Sequence, residues 1–173
     1  NVNLIPRYGV DMERTIHFAR LELARRYAYE NKLNRITVPT PNAWFGILTT
    51  GKTYYDVRQA LAEMGLDDAA LRRYGIRLLK MGMLFPMEPR VVREFSRGLQ
   101  EILVVEEKRS FLELFAKDVL YGMTDRPQVV GKADEEDRLL LPPVGELDSD
   151  VIARAIVRRL ARRSRIDSVE ARI

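Results

Sequence analysis

Trp44-Phe-Gly-Ile-Leu-Thr-Thr-Gly-Lys-Thr-Tyr-Tyr-Asp56 joins an apolar run to the beginning of a helical pattern through a tight turn at Gly51. An apolar run that ends at a glycine turn is typical of a buried parallel strand. After the turn, Val57, Leu61 and Met64 recur at helical spacing. The segment therefore predicts a strand, a turn and a helix, which together make the repeating unit of an α/β fold.

The turn itself is predicted to depend on Gly51, because glycine alone in this turn tolerates a positive φ or a close backbone approach. We expect Gly51→Val to cost about 1–3 kcal/mol of stability through backbone strain. Gly82, in the loop after a later strand, lies in a looser setting by sequence. We therefore expect Gly82→Ala to cost less than Gly51→Val.

The same segment contains the letters of a phosphate-binding P-loop, G-x-x-x-x-G-K-T, from Gly46 to Thr53. In a P-loop the strand ends before the first glycine, so that the following backbone N–H groups can surround a phosphate. Here Ile47 and Leu48 continue the apolar strand instead. This argues against a P-loop, although Ile102-Leu-Val-Val-Glu106 could serve as its Walker B partner and keeps a nucleotide-binding or regulatory domain as an alternative.

Four other runs have the apolar or β-branched character of strands: Arg35–Val38, Ile76–Met81, Ile102–Val105 and Gln128–Gly131. Since turn residues separate Arg35–Val38 from the strand at Trp44, those two neighbours are predicted to pair as an antiparallel hairpin. Three strands, ending at Thr49, Met81 and Val105, each lead into a loop and a helix. Right-handed crossovers would make these three parallel, with their loops at one edge of the sheet.

Cap residues and apolar residues at helical spacing predict helices in other segments of the chain. Asp11 is predicted to cap a long amphipathic helix whose apolar stripe is Met12, Ile16, Ala19, Leu23 and Tyr27. Ser110 and Glu113 have the spacing of a capping box that opens a later helix. Asp148 is predicted to cap the last helix, which is rich in arginine.

The carboxyl ends of parallel strands are where α/β proteins bind ligands and partners. The residues predicted to collect there, and to form an interface, are Thr49, Thr50, Gly51, Lys52, Glu106 and Glu107. Glu106 and Glu107 do not suggest an acid/base pair, because neighbours at a strand end point in opposite directions. For most charged residues at such loops, the simpler interpretation is a helix cap or a solvated charge.

The amino-acid composition excludes several kinds of functional site. The 173 residues contain no cysteine and one histidine, so thiol catalysis, iron–sulfur ligation and a histidine-rich metal site are excluded within them. No segment approaches the length of a membrane span or has the order of a signal peptide, and we expect a cytoplasmic protein. The net charge of +4 is concentrated in the last helix, at Arg154, Arg158, Arg159, Arg162, Arg163 and Arg165. No aromatic residue lies among them, which argues against a basic nucleic-acid-binding module.

Three segments, in their order, carry a resemblance to a known family. They are Phe45-Gly-Ile-Leu-Thr-Thr-Gly51 with Tyr54 or Tyr55 and Val57, then Lys80-Met-Gly-Met-Leu-Phe-Pro86, then Leu103-Val-Val-Glu-Glu107 with Phe111-Leu-Glu113. Together they resemble the 2-oxoacid:ferredoxin oxidoreductases, in particular the indolepyruvate ferredoxin oxidoreductase branch. The matching part of that family is a domain shaped like the C-terminal domain of transketolase, lying between two thiamine-diphosphate-binding domains.

The resemblance implies an enzyme that oxidatively decarboxylates a 2-oxo acid on thiamine diphosphate with magnesium and transfers the acyl group to coenzyme A. Iron–sulfur clusters would pass the electrons to ferredoxin. This chain has no cysteine for clusters and no Gly-Asp-Gly motif with a downstream asparagine for the diphosphate magnesium. No catalytic, cofactor-binding or metal-binding residue is therefore transferred from the family to this chain.

These observations predict a three-layer α/β/α domain, similar to the transketolase C-terminal domain, with a five-strand, mostly parallel sheet that has one antiparallel strand. Residues 1–34 are expected to form a linker helix, and residues 35–173 the α/β domain with its arginine-rich final helix. The expected role is a non-catalytic, structural one. The partners would be other domains of the parent enzyme, in a homodimer or larger oligomer.

Overall fold

A five-stranded sheet forms the centre of the computed structural model, which describes residues 6–162. In chain order its strands are β1 (Arg35–Val38), β2 (Phe45–Thr50), β3 (Ile76–Met81), β4 (Glu101–Val105) and β5 (Gln128–Val130). The spatial order is β1-β3-β2-β4-β5, in which β1 is antiparallel to β3 and all other neighbours are parallel. The predicted sheet of five strands with one antiparallel member is confirmed.

Helices cover both faces of this sheet. They are α1 (Pro6–Thr15), α2 (Leu21–Glu30), α3 (Thr53–Glu63), α4 (Asp68–Arg73), α5 (Pro89–Ser96), α6 (Leu112–Leu120) and α7 (Ser149–Leu160). One core joins the sheet to α3, α4 and α7, and the other joins it to α5 and α6. This is the predicted three-layer α/β/α architecture.

β2 lies at the centre of the sheet, as its apolar sequence predicts. Ile47 faces the α3 and α7 side, while Leu48 faces the α5 and α6 side, and both are completely buried. A Cβ on Gly46 would lie 2.7 Å from the ring of Phe95 on α5. The helix therefore packs directly on the strand backbone at Gly46, which explains why an apolar central strand contains a glycine.

The predicted hairpin between β1 and β2 is wrong. β1 pairs with β3 instead, with Arg35 opposite Lys80 and Ile36 opposite Leu79. Both sides of β2 are already taken by the parallel partners β3 and β4. β1 therefore pairs with the side of β3 that faces away from β2, and it forms the edge of the sheet.

The N-terminal helix also differs from the prediction. Because α1 is described from Pro6 to Thr15, Asp11 lies inside it and is not its cap; the Asp11 carbonyl accepts a hydrogen bond from Thr15 Oγ1 at 2.8 Å. A π-helical turn, Ile16–Arg20, links α1 to α2. Leu23 and Tyr27 of the predicted apolar stripe are more than 60% exposed, and Ala28 is the buried residue of α2. The helix thus packs on the domain only near its end, and its apolar stripe faces outward.

Gly51 and Gly82 are constrained for different reasons. Gly51 adopts φ +53°, with open space where a Cβ would project. Gly82 has an ordinary φ, but a Cβ there would collide with the backbone carbonyl oxygen of Leu33. The expectation that Gly82 lies in a looser setting is therefore wrong, since a backbone carbonyl cannot move aside like a flexible side chain.

We expect Gly51→Val to lower the free energy of unfolding by about 1–3 kcal/mol through its positive φ. Gly82→Ala should cost about 1–3 kcal/mol through overpacking. Chemical denaturation of both variants measures these losses. Gly51→Asn is the matched control, because asparagine tolerates positive φ and should cost less than valine. A Gly82→Ala variant as stable as the wild type would contradict the close approach to Leu33.

Candidate functional site

The ends of β2 and β3 are tied together at the predicted strand-end site. Thr50 Oγ1 donates a hydrogen bond to the carbonyl oxygen of Met81 at 2.9 Å. Thr49 is completely buried, and its hydroxyl has no hydrogen-bond partner within residues 6–162. Gly51 then reverses the chain into α3. Thr49 is therefore inside the structure, Thr50 is half-buried, and Gly51 and Lys52 are exposed in this turn.

Lys52 lies among carboxylates. Its Nζ is 3.1 Å from Asp56, 3.2 Å from Glu146 and 3.8 Å from Glu107. Hydrogen bonds from the ammonium group to Asp56 and Glu146 raise the pKa of Lys52. Three carboxylates around the one lysine would repel a phosphate group, so the surroundings of Lys52 oppose nucleotide binding.

The segment expected to cradle phosphate in a P-loop is part of the central strand. Ile47 and Leu48 lie within β2 and pair in register with both β3 and β4. Their backbone N–H groups therefore belong to the sheet and cannot turn toward a ligand. The prediction that Ile47 and Leu48 continue the strand is confirmed, and this placement opposes a P-loop at Gly46–Thr53.

Glu106 is a structural cap. Only 5% of the residue is exposed, and its carboxylate accepts hydrogen bonds from the backbone N–H groups of Phe111, Leu112 and Glu113 at 2.8–3.1 Å. These N–H groups open α6 and have no partner inside the helix. A negative charge also suits the positive end of the helix dipole. Glu106 thus joins the end of β4 to the start of α6, and its carboxylate is not available to a ligand.

The predicted capping box between Ser110 and Glu113 is not formed. Ser110 Oγ donates to the Glu113 carboxylate at 2.8 Å, while Glu106 takes the backbone N–H groups that a capping serine would bind. Glu113 is buried and also accepts from Lys117 Nζ at 2.6 Å and from the backbone N–H of Lys132 at 3.2 Å. The capping box does not form because the Glu106 carboxylate, at the end of the preceding strand, already binds the N–H groups at the start of α6.

Acid should weaken this arrangement. Burial of Glu113 raises its carboxyl pKa, but hydrogen bonds from Lys117, Ser110 and the Lys132 backbone together outweigh burial, and the pKa lies below its usual value of 4.5. The stability that Glu113 contributes is therefore complete above pH 4.5 and is lost as the pH falls through the lowered value. We expect Glu113→Gln to show a shallower loss of stability below pH 4.5, measured by denaturation across pH. A slope equal to that of the wild type would contradict this assignment.

The segment from Lys132 to Glu146 covers the end of β4. Lys132 Nζ donates hydrogen bonds to the carbonyl oxygens of Glu106 and Pro142, the latter at 3.3 Å. Burial lowers the pKa of Lys132. Lys108 Nζ donates to the Gly145 carbonyl at 2.6 Å, and Leu141 is completely buried in the core. The segment is thus held over the strand ends by these contacts.

The last helix uses part of its basic character internally. Arg159 is buried and makes ion pairs with Glu101 at 2.6 Å and Glu135 at 3.0 Å, and Arg162 also contacts Glu135. Arg154 and Arg158 are exposed, whereas Arg163 and Arg165 lie outside the described residues. Two of the six arginines therefore hold the fold together, which weakens the case for a nucleic-acid surface.

Three important residues were not singled out by sequence reasoning. Lys132 is one of several lysines near acidic residues, and Arg159 is one of six neighbouring arginines. Asn34 precedes β1, and its side-chain Oδ1 accepts hydrogen bonds from the backbone N–H groups of Gly82 and Met83, both at 2.9 Å. A helical count places Arg159 with Ile152 and Ile156 on the buried face of α7, and this was the one available signal.

Within residues 6–162 no cluster of three or more histidine, cysteine, aspartate or glutamate side chains could hold a metal ion. Among the described helices, none combines the length and apolarity that crossing a bilayer requires. The arrangement at the strand ends is a set of caps, ion pairs and carbonyl contacts that connects three strands, α3, α6 and the covering segment. It gives no pair of free side chains positioned for proton transfer or nucleophilic attack.

Comparison with known proteins gives a consistent match. The family model described as the indolepyruvate ferredoxin oxidoreductase middle domain matches residues 34–173. The indolepyruvate oxidoreductase subunit IorA of Methanothermobacter marburgensis is 32% identical over 157 residues, covering 87% of this chain and 24% of the relative. The subunit of the same name from Thermococcus kodakarensis is 30% identical over 129 residues, covering 75% of this chain and 18% of the relative. The chain thus spans about a quarter or less of the length of these relatives.

Two solved structures are similar to this chain, and the first of them shares its fold. A 2-oxoglutarate:ferredoxin oxidoreductase from Magnetococcus marinus superposes with a TM-score of 0.50 at 16% identity, covering 91% of this chain and 24% of that one. A split-gene transketolase, an inactive β4 tetramer, gives a TM-score of 0.48 at 15% identity, covering 74% of this chain and 41% of that one.

Proposed function

This chain belongs to the indolepyruvate ferredoxin oxidoreductase family, and we propose that it is a non-catalytic, structural domain of a longer enzyme of that kind. The longer enzyme would use thiamine diphosphate to decarboxylate a 2-oxo acid, indolepyruvate in the first instance, and would form an acyl-CoA. The match to the middle domain of that family and the length of the relatives support this proposal.

The observation that carries the non-catalytic role is the internal use of the strand-end side chains. The Glu106 carboxylate caps α6, and Lys132 Nζ is held by two backbone carbonyls. Lys52 is held by Asp56 and Glu146. A catalytic side chain needs a free acid, base or nucleophile within reach of substrate. At this edge the polar groups instead stabilise the domain.

The cofactors of the longer enzyme do not fit the described residues. Magnesium for thiamine diphosphate and the iron atoms of clusters need convergent oxygen or thiolate ligands. Residues 6–162 contain no such cluster of side chains, and the whole sequence contains no cysteine. We therefore assign thiamine diphosphate, magnesium and iron–sulfur clusters to other parts of the enzyme. Ferredoxin and coenzyme A would be partners of the full enzyme.

The exposure of the N-terminal helix supports a division of the chain into two parts. We propose that residues 1–34 form a linker helix and that residues 35–173 form the transketolase-like α/β domain. The outward stripe of the helix, with exposed Leu23 and Tyr27, would contact a neighbouring domain. Gly51, Lys52 and Glu107 are the accessible part of the strand-end interface and would form a second contact. The complete enzyme would be a cytoplasmic homodimer or larger oligomer.

The purified chain is expected to fold and to show no activity with any 2-oxo acid. The assay supplies indolepyruvate or other 2-oxo acids, thiamine diphosphate, magnesium and coenzyme A, and measures reduction of an artificial electron acceptor. A cooperative thermal transition by circular dichroism is the control for folding. Turnover above that of heat-unfolded chain would overturn the non-catalytic assignment.

A further inference from the structure

The loop between β3 and α5, residues 82–87, makes its hydrogen bonds with the end of the N-terminal helix. Asn34 Oδ1 accepts from the backbone N–H groups of Gly82 and Met83, both at 2.9 Å. Arg25 Nε, on α2, donates to the carbonyl oxygen of Met87 at 3.2 Å. Within residues 6–162, the backbone of this β3–α5 loop forms no other hydrogen bond. The loop therefore depends on α2 and on Asn34 for the partners of its backbone.

Two further contacts join the same parts of the chain. The Arg90 guanidinium, at the start of α5, lies 3.7 Å from the ring centroid of Tyr29 on α2. Arg90 Nε is also 2.6 Å from the carboxylate of Glu88, the residue that caps α5. The carbonyl oxygen of Leu33 packs so closely on Gly82 that a Cβ there would collide with it. Both ends of the β3–α5 loop are thus in contact with the helix or with the residues that follow it.

The contacts on the helix side belong to one rigid unit. The Leu33 N–H donates to the carbonyl oxygen of Ala28 at 2.9 Å, and Lys32 between them has φ +52°. This is the arrangement that closes a helix at its C-terminus. Ala28 is buried, so this end of α2 is packed on the domain. Leu33 and Asn34 are therefore fixed to the helix by its C-terminal cap and follow any movement of α2.

The β3–α5 loop lies beside the strand-end site and carries an exposed aromatic side chain. Thr50 Oγ1 binds the carbonyl oxygen of Met81, immediately before the loop. Phe85, within the loop, is 59% exposed, and its ring centroid lies 6.3 Å from that of Phe115 on α6. Phe115 in turn packs edge-on against Phe111 at 4.8 Å. The position of the loop therefore decides whether Phe85 joins this aromatic cluster, at the sheet edge where α/β proteins bind ligands and partners.

We propose that α2 and the β3–α5 loop are one coupled element, through which the N-terminal helix sets the position of Phe85 at the strand ends. This coupling presupposes the linker role proposed above and gives it a consequence. The outward side of the helix contacts a neighbouring domain, while its inner side holds the loop. A neighbouring domain that moves the helix then changes the aromatic cluster without touching it. Such coupling is reciprocal, so a change in the loop also affects the end of α2.

Hydrogen exchange of the full chain tests the coupling from the helix side. Arg25→Met removes the hydrogen bond to the Met87 carbonyl. Exchange of the Gly82 and Met83 N–H groups should then become about threefold faster or more, which is the effect of losing one hydrogen bond of ordinary strength. Arg25 binds neither of these groups, since both donate to Asn34. Faster exchange there therefore reports a change that is transmitted through the loop.

Arg26→Met is the matched control. Arg26 follows Arg25 on α2 and, like Arg25, forms an ion pair with Glu22. Among the described residues it makes no hydrogen bond or ion pair with the β3–α5 loop, so exchange in the loop should not change. Equal loop exchange in the Arg25 and Arg26 variants would overturn the proposal. Equally faster exchange in β4 and α7 would also overturn it, because Arg25→Met would then loosen the whole domain.

The reverse experiment begins in the loop. Gly82→Ala presses on the Leu33 carbonyl and should speed exchange of the N–H groups of Asn31 and Leu33, which close α2. Gly122→Ala is the control, because a Cβ at Gly122 meets no atom within 4 Å, and it should leave these groups unchanged. Unchanged exchange at Asn31 and Leu33 in Gly82→Ala would show that the coupling is absent. These measurements need no substrate, so their outcome is independent of the activity assay that tests the non-catalytic assignment.

Discussion

Glu106→Ala is expected to lower the free energy of unfolding by about 2–4 kcal/mol, since hydrogen bonds to a charged group contribute about 1.5–3 kcal/mol each and do not add fully. The carboxylate binds the backbone N–H groups of Phe111, Leu112 and Glu113. Removing it leaves these groups without a partner at a buried helix start. The loss should therefore exceed that of an ordinary helix cap, which is about 0.5–2 kcal/mol.

Glu107→Ala is the matched control, because the two glutamates are neighbours in sequence but only Glu106 binds the backbone N–H groups at the start of α6. Glu107 is partly exposed, and its carboxylate is 3.8 Å from the Lys52 ammonium group. A contact of this kind contributes about 0–1 kcal/mol. Urea denaturation of both variants gives the comparison. Equal losses for the two variants would show that the contact of Glu106 with α6 does not stabilise the domain.

The central part of the fold could be predicted because its signals are local. The apolar run before Gly51 favours burial and predicts the central strand β2. The helical spacing of the apolar residues after Gly51 predicts α3. Asp148 was also identified correctly as the cap of α7. Each of these predictions depends on residues within about four positions of one another.

The position of β1 could not be predicted in this way. Its partner β3 is about forty residues further along the chain, and the sequence of β1 fits a pairing with either neighbour. What decides the pairing is that β2 has both of its sides occupied by parallel strands. The pairing partner of β1 therefore depends on the arrangement of the whole sheet, and it cannot be inferred from the four residues of β1 alone.

The strand-end site was only partly predictable for a similar reason. Placing Thr49, Lys52 and Glu106 at one edge follows from parallel strands, and the structure brings them there. Their individual roles depend on the segment that follows β5, since Lys132 and Glu146 arrive from that segment. The sequence of that segment is acidic with a run of leucines and prolines, and such a pattern does not reveal where it packs.

The buried arginine of α7 links three separate parts of the chain. Arg159 Nε and Nη2 each lie 2.6 Å from a carboxylate oxygen of Glu101, at the start of β4, and Nη1 lies 3.0 Å from Glu135. Only 3% of Arg159 is exposed. The contact with Glu101 is bidentate, and bidentate ion pairs between arginine and carboxylate are among the strongest in proteins. The pair joins α7 and the covering segment to the sheet.

Arg159→Met should therefore lower the free energy of unfolding by about 3–5 kcal/mol, because it leaves the Glu101 carboxylate without its partner in a largely buried place. Methionine keeps much of the length of the side chain, so the loss reports the charge and not a cavity. Arg158→Met, at an exposed neighbouring position of α7, should change stability by less than about 0.5 kcal/mol.

The double variant Glu101→Gln, Arg159→Met separates the two possible causes of that loss. If the unpaired carboxylate is responsible, removing its charge should restore part of the stability, so the double variant should be more stable than Arg159→Met alone. Thermal and urea denaturation of the four proteins complete the cycle. If the double variant is less stable than Arg159→Met by the full effect of Glu101→Gln alone, the two residues are not coupled, and the ion pair does not hold α7 to the sheet.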